Sequence, residues 1–458
     1  MHLAAPVAPI APHPLLLFLL GMLVLLTTAK LLGRLGERFG LPSVVGELVT
    51  GMLLGPSLLG HLAPAVSNWL LPTQPAEQIH LLDAVGQLAV LLLVGVTGTH
   101  LDTRILRRQG RTAATVSLFG LLLPLGLGIA LGFVLPGSLL GSGNSSRWVF
   151  ALFIGVAMCV TAIPVIAKTL TDMRLLHRNI GQLTLAAGMV DDAVGWLLLS
   201  VVSAAATVGV TAGIVSLSVG YLIGFVALAG TVGRVAVRKL MDLAARRPEP
   251  GPAVGMAVII LLAFGAATQS LGMEPVFGAF VGGILIAQSR SAQPKLAPLR
   301  TVVLSVLAPL FLATAGLRMD LTALWHPTTA WAALALLALA IVGKFVGAYT
   351  GARVSKLSRW EGLALGAGMN SRGVIEVIVA LTGLRLGVLN TATYTMVVLV
   401  AIVTSVMAPP LLRLSMRRVA RTEDERLRLL DHEDWLGHRL STEDTPRSTP
   451  DIVRREAA

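Results

Sequence analysis

The chain has 458 residues, of which 55% are hydrophobic and only 13% charged, and its mean hydropathy is +0.79. That balance excludes an ordinary soluble domain. The net charge of +12 would suggest a nucleic-acid partner in a soluble chain, but here the basic residues have another origin and no nucleic acid is expected. Cys159 is the only cysteine, so neither an intrachain disulfide nor a cysteine metal cluster can form.

Thirteen apolar segments approach the ~20 residues needed to cross a bilayer. They cover approximately 14–33, 41–60, 80–100, 113–135, 149–170, 180–203, 212–234, 253–271, 275–289, 300–318, 328–350, 360–382 and 391–413. The pattern predicts an all-α polytopic membrane protein with about 13 transmembrane helices. The first segment lacks a basic leader and reads as a retained span.

Loop charges alternate. Lys30, Arg34 and Arg38 follow span one, and Arg104, Arg107, Arg108 and Arg111 follow span three. Lys168, Arg174 and Arg178 follow span five, and Arg234, Arg238, Lys239, Arg246 and Arg247 follow span seven. Arg290, Lys295 and Arg300 follow span nine, and Arg353, Lys356 and Arg359 follow span eleven. The other loops hold only Arg147, Arg318 and Arg385. This bias predicts the cytoplasmic side. It places residues 1–13 outside, a membrane domain at 14–413 and a tail, 414–458, in the cytoplasm. The tail balances its charges, so the +12 comes from the membrane region. It reads as helical to about His438 and then disordered through the polar stretch Ser441 to Pro450. The expected location is a cell membrane, crossed many times, with the lipid bilayer as a partner.

Two short strings recur. Span three ends in Gly95-Val-Thr-Gly-Thr-His-Leu-Asp102, and span ten ends in Ala313-Thr-Ala-Gly-Leu-Arg-Met-Asp320. After the first, Thr161-Ala-Ile-Pro164 interrupts span five. After the second, Asn370-Ser-Arg-Gly373 interrupts span twelve. The offset is seven spans, an odd number, so the two halves cross the membrane in opposite directions. Inverted repeats with interrupted helices recur in secondary transporters. Pro164 removes a backbone donor and crowds the preceding turn, and Gly373 permits a break.

Asp191 and Asp192 lie inside the otherwise uncharged run Leu183 to Val202. Placing one carboxylate at mid-membrane costs about 2.5–3.5 kcal/mol on insertion scales, and such a residue marks an ion or proton pathway by default. The two are about 100° apart around a helix and cannot share a face. One is free to meet a cation in a cavity while the other pairs with a neighbouring helix. The bland use of either is a salt bridge that fixes packing. Lys344, in Val342-Gly-Lys-Phe-Val-Gly347, is an amine able to lose its charge when buried; its bland use is snorkelling to the interface. Arg372 and Glu376 are four apart and stack on one face if their helix continues. Glu47 reads as a packing or gating residue, and His100 and His177 as solvated residues at helix ends.

Several motifs carry a family resemblance. Thr161-Ala-Ile-Pro-Val-Ile-Ala-Lys-Thr-Leu170, Gly188-Met-Val-Asp-Asp-Ala-Val-Gly-Trp196, Gly343-Lys-Phe-Val-Gly347 and Gly366-Ala-Gly-Met-Asn-Ser-Arg-Gly-Val-Ile-Glu376 are among them, with Val44-Val-Gly-Glu47 and Gly51-Met-Leu-Leu-Gly-Pro-Ser57. Over about residues 15–412 the chain resembles the monovalent cation:proton antiporter superfamily. The nearest branch is the second, with Kef-type transporters and plant cation/proton exchangers. The resemblance implies an elevator-like antiporter, a homodimer with interleaved dimerisation and core parts, and two crossing broken helices beside the aspartate helix. It implies Asp192 as the essential carboxylate for proton and cation (Na⁺ or K⁺), with Asp191 beside it and Thr161 lending an oxygen. Lys344, Arg372 and Glu376 become charge-compensating residues, and Pro164, Gly373, Asn370 and Ser371 form the breaks. No cofactor and no enzymatic activity are implied. Kef-type efflux systems carry a soluble nucleotide-binding domain that the ~45-residue tail is too short to hold. A channel-like potassium efflux protein and a non-transporting membrane sensor are the alternatives.

Overall fold

The computed structural model describes residues 11–70, 77–99, 103–142, 146–175, 177–208, 212–422 and 425. Among these the chain is helical, with one isolated bridge between Leu140 and Leu389. Its helices in order are α1 (Pro12–Arg38), α2 (Ser43–Leu54), α3 (Leu59–Leu62), α4 (Pro64–Leu70), α5 (Glu77–Thr99) and α6 (Thr103–Val134). Then come α7 (Arg147–Cys159), α8 (Ile163–Asp172), α9 (Asn179–Val208), α10 (Ala212–Leu228), α11 (Arg234–Ala244), α12 (Gly251–Ser270) and α13 (Pro275–Ile286). The last are α14 (Ala297–Val302), α15 (Ala308–Gly316), α16 (Pro327–Val354), α17 (Arg359–Met369), α18 (Val374–Arg385) and α19 (Thr391–Met416).

Local sequence sets many of these boundaries. Proline occupies the first turn of α1, α12, α13 and α16, where its missing N–H has no helical partner to lose. Ser358 and Glu361 form a reciprocal capping box at the start of α17. Asn390 caps α19 by accepting the Thr393 N–H at 2.9 Å.

Ten helices among the described residues are long and apolar enough to cross a membrane, or eleven if the bent pair α17 and α18 counts as one span. The expected count of about thirteen is therefore not reached by length. The shortfall lies at α7 and α13, which are shorter apolar helices. α7 stops where its span is broken after Cys159. Pro275 fixes the start of α13, and the chain turns at Ala287. Hydropathy registers the apolar run and not the continuity of the backbone.

Helices also run past the apolar slab. Arg104, Arg107, Arg108 and Arg111 belong to α6, and Arg234, Arg238 and Lys239 to α11, where loops were expected. Arginine and lysine are good helix formers, so a helix need not end where hydropathy does. α19 likewise continues to Met416, past the expected boundary at 413. Residues 1–10, His100, Asp102 and the tail from 426 onward lie outside the described residues.

The strongest helix pairings fall into two sets. One joins α1, α2, α5, α12, α13 and α15; the other joins α6, α7, α9, α16, α17 and α19. Small residues allow the close approaches. A Cβ at Gly51 would strike the Ala313 carbonyl, so glycine there lets α2 lie directly on α15.

Candidate functional site

Span five breaks at Val160–Ala162, between α7 and α8. Pro164 lies in the first turn of α8, where a proline is tolerated, so the chain leaves the helix just before it. Span twelve breaks between Met369 and Val374, and its two halves, α17 and α18, are bent by 46°. The two breaks touch: the Ala162 N–H donates to the Ser371 carbonyl at 3.2 Å. A Cβ on Gly373 would lie 2.7 Å from Val165 Cγ2, so glycine permits this approach.

Asp191, on α9, is fully buried and fully engaged. Its Oδ1 accepts the Ser117 hydroxyl at 2.5 Å. Its Oδ2 accepts the Thr161 hydroxyl at 2.7 Å and the Lys344 ammonium at 2.6 Å. Three elements, α6, the first break and α16, thus converge on one carboxylate. Thr161, expected to lend an oxygen to the site, turns its hydroxyl to Asp191.

Asp192 presents the opposite case. It is also fully buried, yet neither carboxylate oxygen has a hydrogen-bond partner among the described residues. It faces the backbone N–H of Ile163, the first residue of α8, without closing a hydrogen bond. The 100° step along α9 separates the roles of the two neighbours.

The first break also exposes the carbonyl end of α7. The last four carbonyls of a helix lack helical donors and carry partial negative charge. Two cations meet them. Lys344 Nζ donates to the Cys159 carbonyl at 2.5 Å and to the Gly120 carbonyl at 3.0 Å. Arg372 donates to Ala157 at 3.0 Å and Met158 at 2.6 Å, and also to Ala340 at 3.1 Å. Arg372 Nη1 lies 3.2 Å from Glu376 Oε1. Their helix does not continue, because Arg372 sits within the break, but the expected pair forms all the same. The Ser405 hydroxyl donates to the Arg372 carbonyl.

Asn370 and Ser371 lie where the breaks meet. The Asn370 amide, the Ser371 hydroxyl and Glu376 Oε2 are buried with no hydrogen-bond partner among the described residues. Ser117 and Ser405 had not been singled out from the sequence. A serine in an apolar span gives no signal, because its hydroxyl ordinarily bonds back to its own helix.

Similarity to known proteins agrees with this arrangement. A family model described as "Sodium/hydrogen exchanger, transmembrane" matches residues 21–416. The chain belongs to this family. As a sodium/hydrogen exchanger family member it is 34% identical over 402 residues to the Na(+)/H(+) antiporter NhaS4 of Synechocystis, covering 87% of this chain and 97% of that protein. It is 31% identical to cation/H(+) antiporter 17 of Arabidopsis thaliana, over 87% of this chain and 48% of that protein. It is 28% identical to K(+)/H(+) antiporter 1 of Saccharomyces cerevisiae, over 88% of this chain and 46% of that one. The chain spans about half the length of the last two. Its fold matches the sodium proton antiporter MjNhaP1 from Methanocaldococcus jannaschii with a TM-score of 0.62, covering 88% of this chain and 99% of that one at 15% identity. The family-matched region of this exchanger relative holds both breaks, both aspartates, Ser117 and Lys344.

Proposed function

We propose that the chain is a secondary antiporter that exchanges a monovalent cation, Na⁺ or K⁺, for protons across a cell membrane by alternating access. The observation that carries this reading is the contrast between two adjacent carboxylates. Asp191 is satisfied by Lys344, Ser117 and Thr161, whereas Asp192 is buried beside the meeting breaks with neither oxygen partnered among the described residues. A carboxylate in that position is stable when it holds either a proton or a cation. Proton and cation therefore compete for one group, and the empty charged site crosses poorly.

The surroundings suit a partly dehydrated cation. Asn370 and Ser371 place neutral oxygens at the junction of the breaks, and irregular backbone at membrane depth belongs beside a cavity. Lys344 and Arg372 compensate the partial negative charge of the α7 carbonyl end. On this reading Asp192, Asp191 and Thr161 form the cation and proton site, and Lys344, Arg372 and Glu376 balance its charge. The set containing α6, α7, α9, α16, α17 and α19 is the moving core. The set around α1, α2, α5, α12, α13 and α15 forms the dimerisation part of a homodimer. The N-terminus lies outside and the tail in the cytoplasm.

Proteoliposomes with an acidic lumen and a fluorescent pH probe test this. Adding Na⁺, K⁺ and Li⁺ in turn is expected to collapse the gradient with Na⁺, K⁺ or both, and with saturating dependence on cation. A gradient that survives all three overturns the proposal.

A further inference from the structure

We propose that the segment just past α19 is a strap that sets the position of the aspartate helix α9, with Glu425 as its positioning residue. The inference rests on the reading of Asp191 and Asp192 as the transport carboxylates. The first N–H groups of any α-helix have no partner within the helix. At the start of α9 the Asn179 N–H finds one 246 positions away, donating to Glu425 Oε1 at 2.7 Å. The other carboxylate oxygen, Oε2, accepts the Thr422 N–H at 3.1 Å and lies 2.9 Å from Arg178 Nε. Arg178 in turn donates to the carbonyls of Val419 and Ala420, both at 3.1 Å. Asn179 Nδ2 donates to Thr422 Oγ1 at 3.1 Å.

This is a built contact. The side chains of Arg178 and Glu425 are only 7% and 3% exposed. A charged pair is tolerated at such burial when its remaining donors and acceptors are satisfied, and a carboxylate at a helix N-terminus also complements the helix dipole. The same segment holds a second helix beginning. The Arg418 guanidinium lies 4.3 Å from the ring centre of Trp360, the second residue of α17. α17 leads directly to the second break, so the strap grips the starts of two helices that reach the site.

Asp191 lies twelve residues along α9, about 18 Å from the strap at 1.5 Å per residue. Contact cannot span that distance, but a helix can. α9 runs unbroken from Asn179 to Val208. Which aspartate is paired and which is open depends on its rotation, because the two are one residue apart. A strap that fixes the start of α9 therefore fixes the division of roles between Asp191 and Asp192.

The test uses the full-length protein in proteoliposomes, with transport normalised to the folded protein recovered by size exclusion. Glu425→Ala is expected to raise the KM for the transported cation about fivefold, the scale of ordinary coupling between linked sites. Glu425→Gln keeps an oxygen for the Asn179 N–H and is expected to restore much of the parental KM. Parental KM in Glu425→Ala at reduced folded yield would make Glu425 a mere anchor and overturn the proposal. Should Glu425→Ala not fold, the pair Arg178→Cys and Glu425→Cys in a Cys159→Ala background replaces it. Crosslinking is expected to leave transport and KM unchanged, because the strap travels with the helix; loss of transport that a reductant reverses overturns it. If the parent moves no cation, the antiport reading fails on its own. Hydrogen exchange at 179–183 then reads the strap directly. Faster exchange in Glu425→Ala, or in the reduced cysteine pair should that variant not fold, supports it, and unchanged exchange overturns it.

Discussion

Lys344 Nζ lies 2.6 Å from Asp191 Oδ2, and both side chains are fully buried. The pair cancels one of the two negative charges on α9 and leaves the other to Asp192. Lys344 reaches this position from α16, with the Gly120 and Cys159 carbonyls taking its remaining donors. The amine therefore ties α6, the end of α7, and α9 to one point.

Asp192→Asn is expected to abolish cation-dependent proton movement while leaving folded protein in the membrane. The change removes a buried carboxylate that has no hydrogen-bond partner among the described residues. An unsatisfied buried group costs about 1–3 kcal/mol, and more when charged, so the melting temperature should hold or rise. Fluorescence-detected size exclusion after heating measures stability, and the proteoliposome assay measures transport. Parental antiport by a well-folded Asp192→Asn protein would sink the assignment.

Ser117→Ala tests the other carboxylate. It removes one of three donors to Asp191, and a hydrogen bond to a charged group is worth about 1.5–3 kcal/mol. A lower melting temperature is expected, with antiport reduced but present. Thr161→Val should act in the same direction. Because the two share Asp191, the double variant should be less than additive. A Ser117→Ala protein that melts like the parent would show that this hydroxyl does not hold the carboxylate.

These two residues mark what a sequence reveals here. Asp191 and Asp192 stand out because a charge in an apolar run has no cheap explanation. The breaks stand out because Pro164 and Gly373 interrupt helical backbone for stated steric reasons. Ser117 does not stand out, since its partner lies 74 positions away and nothing local distinguishes it from a helix serine. The charge-compensating role of Lys344 came from family resemblance and not from spacing. Arg372 and Glu376 were paired on the premise of a continuing helix, and the pair forms across a break instead. The role of Arg372 toward the Ala157 and Met158 carbonyls depends on where α7 ends. Hydropathy could not show that end, which is also why fewer helices among the described residues than expected spans are long enough to cross a membrane.

Arg372→Lys is expected to be poorly tolerated. One guanidinium serves the carbonyls of Ala157, Met158 and Ala340 together with Glu376. An ammonium lacks the planar fork that reaches these acceptors. Arg372→Ala leaves Glu376 buried without its cation, which costs about 3–5 kcal/mol for a broken buried pair. Glu376→Gln should restore part of the folded yield of Arg372→Ala. Yields measured by size exclusion decide this, and an Arg372→Ala protein as stable as the parent would exclude the capping role.

Topology is open to chemical labelling. In a Cys159→Ala background, an impermeant maleimide added outside intact cells is expected to modify Ser138→Cys and to spare Glu249→Cys. Both positions are exposed, so access depends on the side of the membrane. Labelling only after permeabilisation is expected for Glu249→Cys. The reverse pattern would invert the orientation derived from the basic loops.

The last prediction concerns charge movement. Asp191 and Lys344 are both titratable and lie beside Asp192, so a cycle can carry two protons against one monovalent cation. One net charge moved across 100 mV is worth about 2.3 kcal/mol. At about 1.4 kcal/mol per factor of ten, that biases the equilibrium gradients roughly forty- to fiftyfold. A potential clamped with valinomycin, with Na⁺ as the transported cation, should therefore shift the gradient at which net flux is zero. Lys344→Gln removes the titratable amine and is expected to abolish that shift in whatever transport survives. A zero-flux point that ignores the potential in the parent would make the exchange one-for-one. Lys344 would then be a structural partner of Asp191 alone, and Lys344→Gln would change stability without changing voltage dependence.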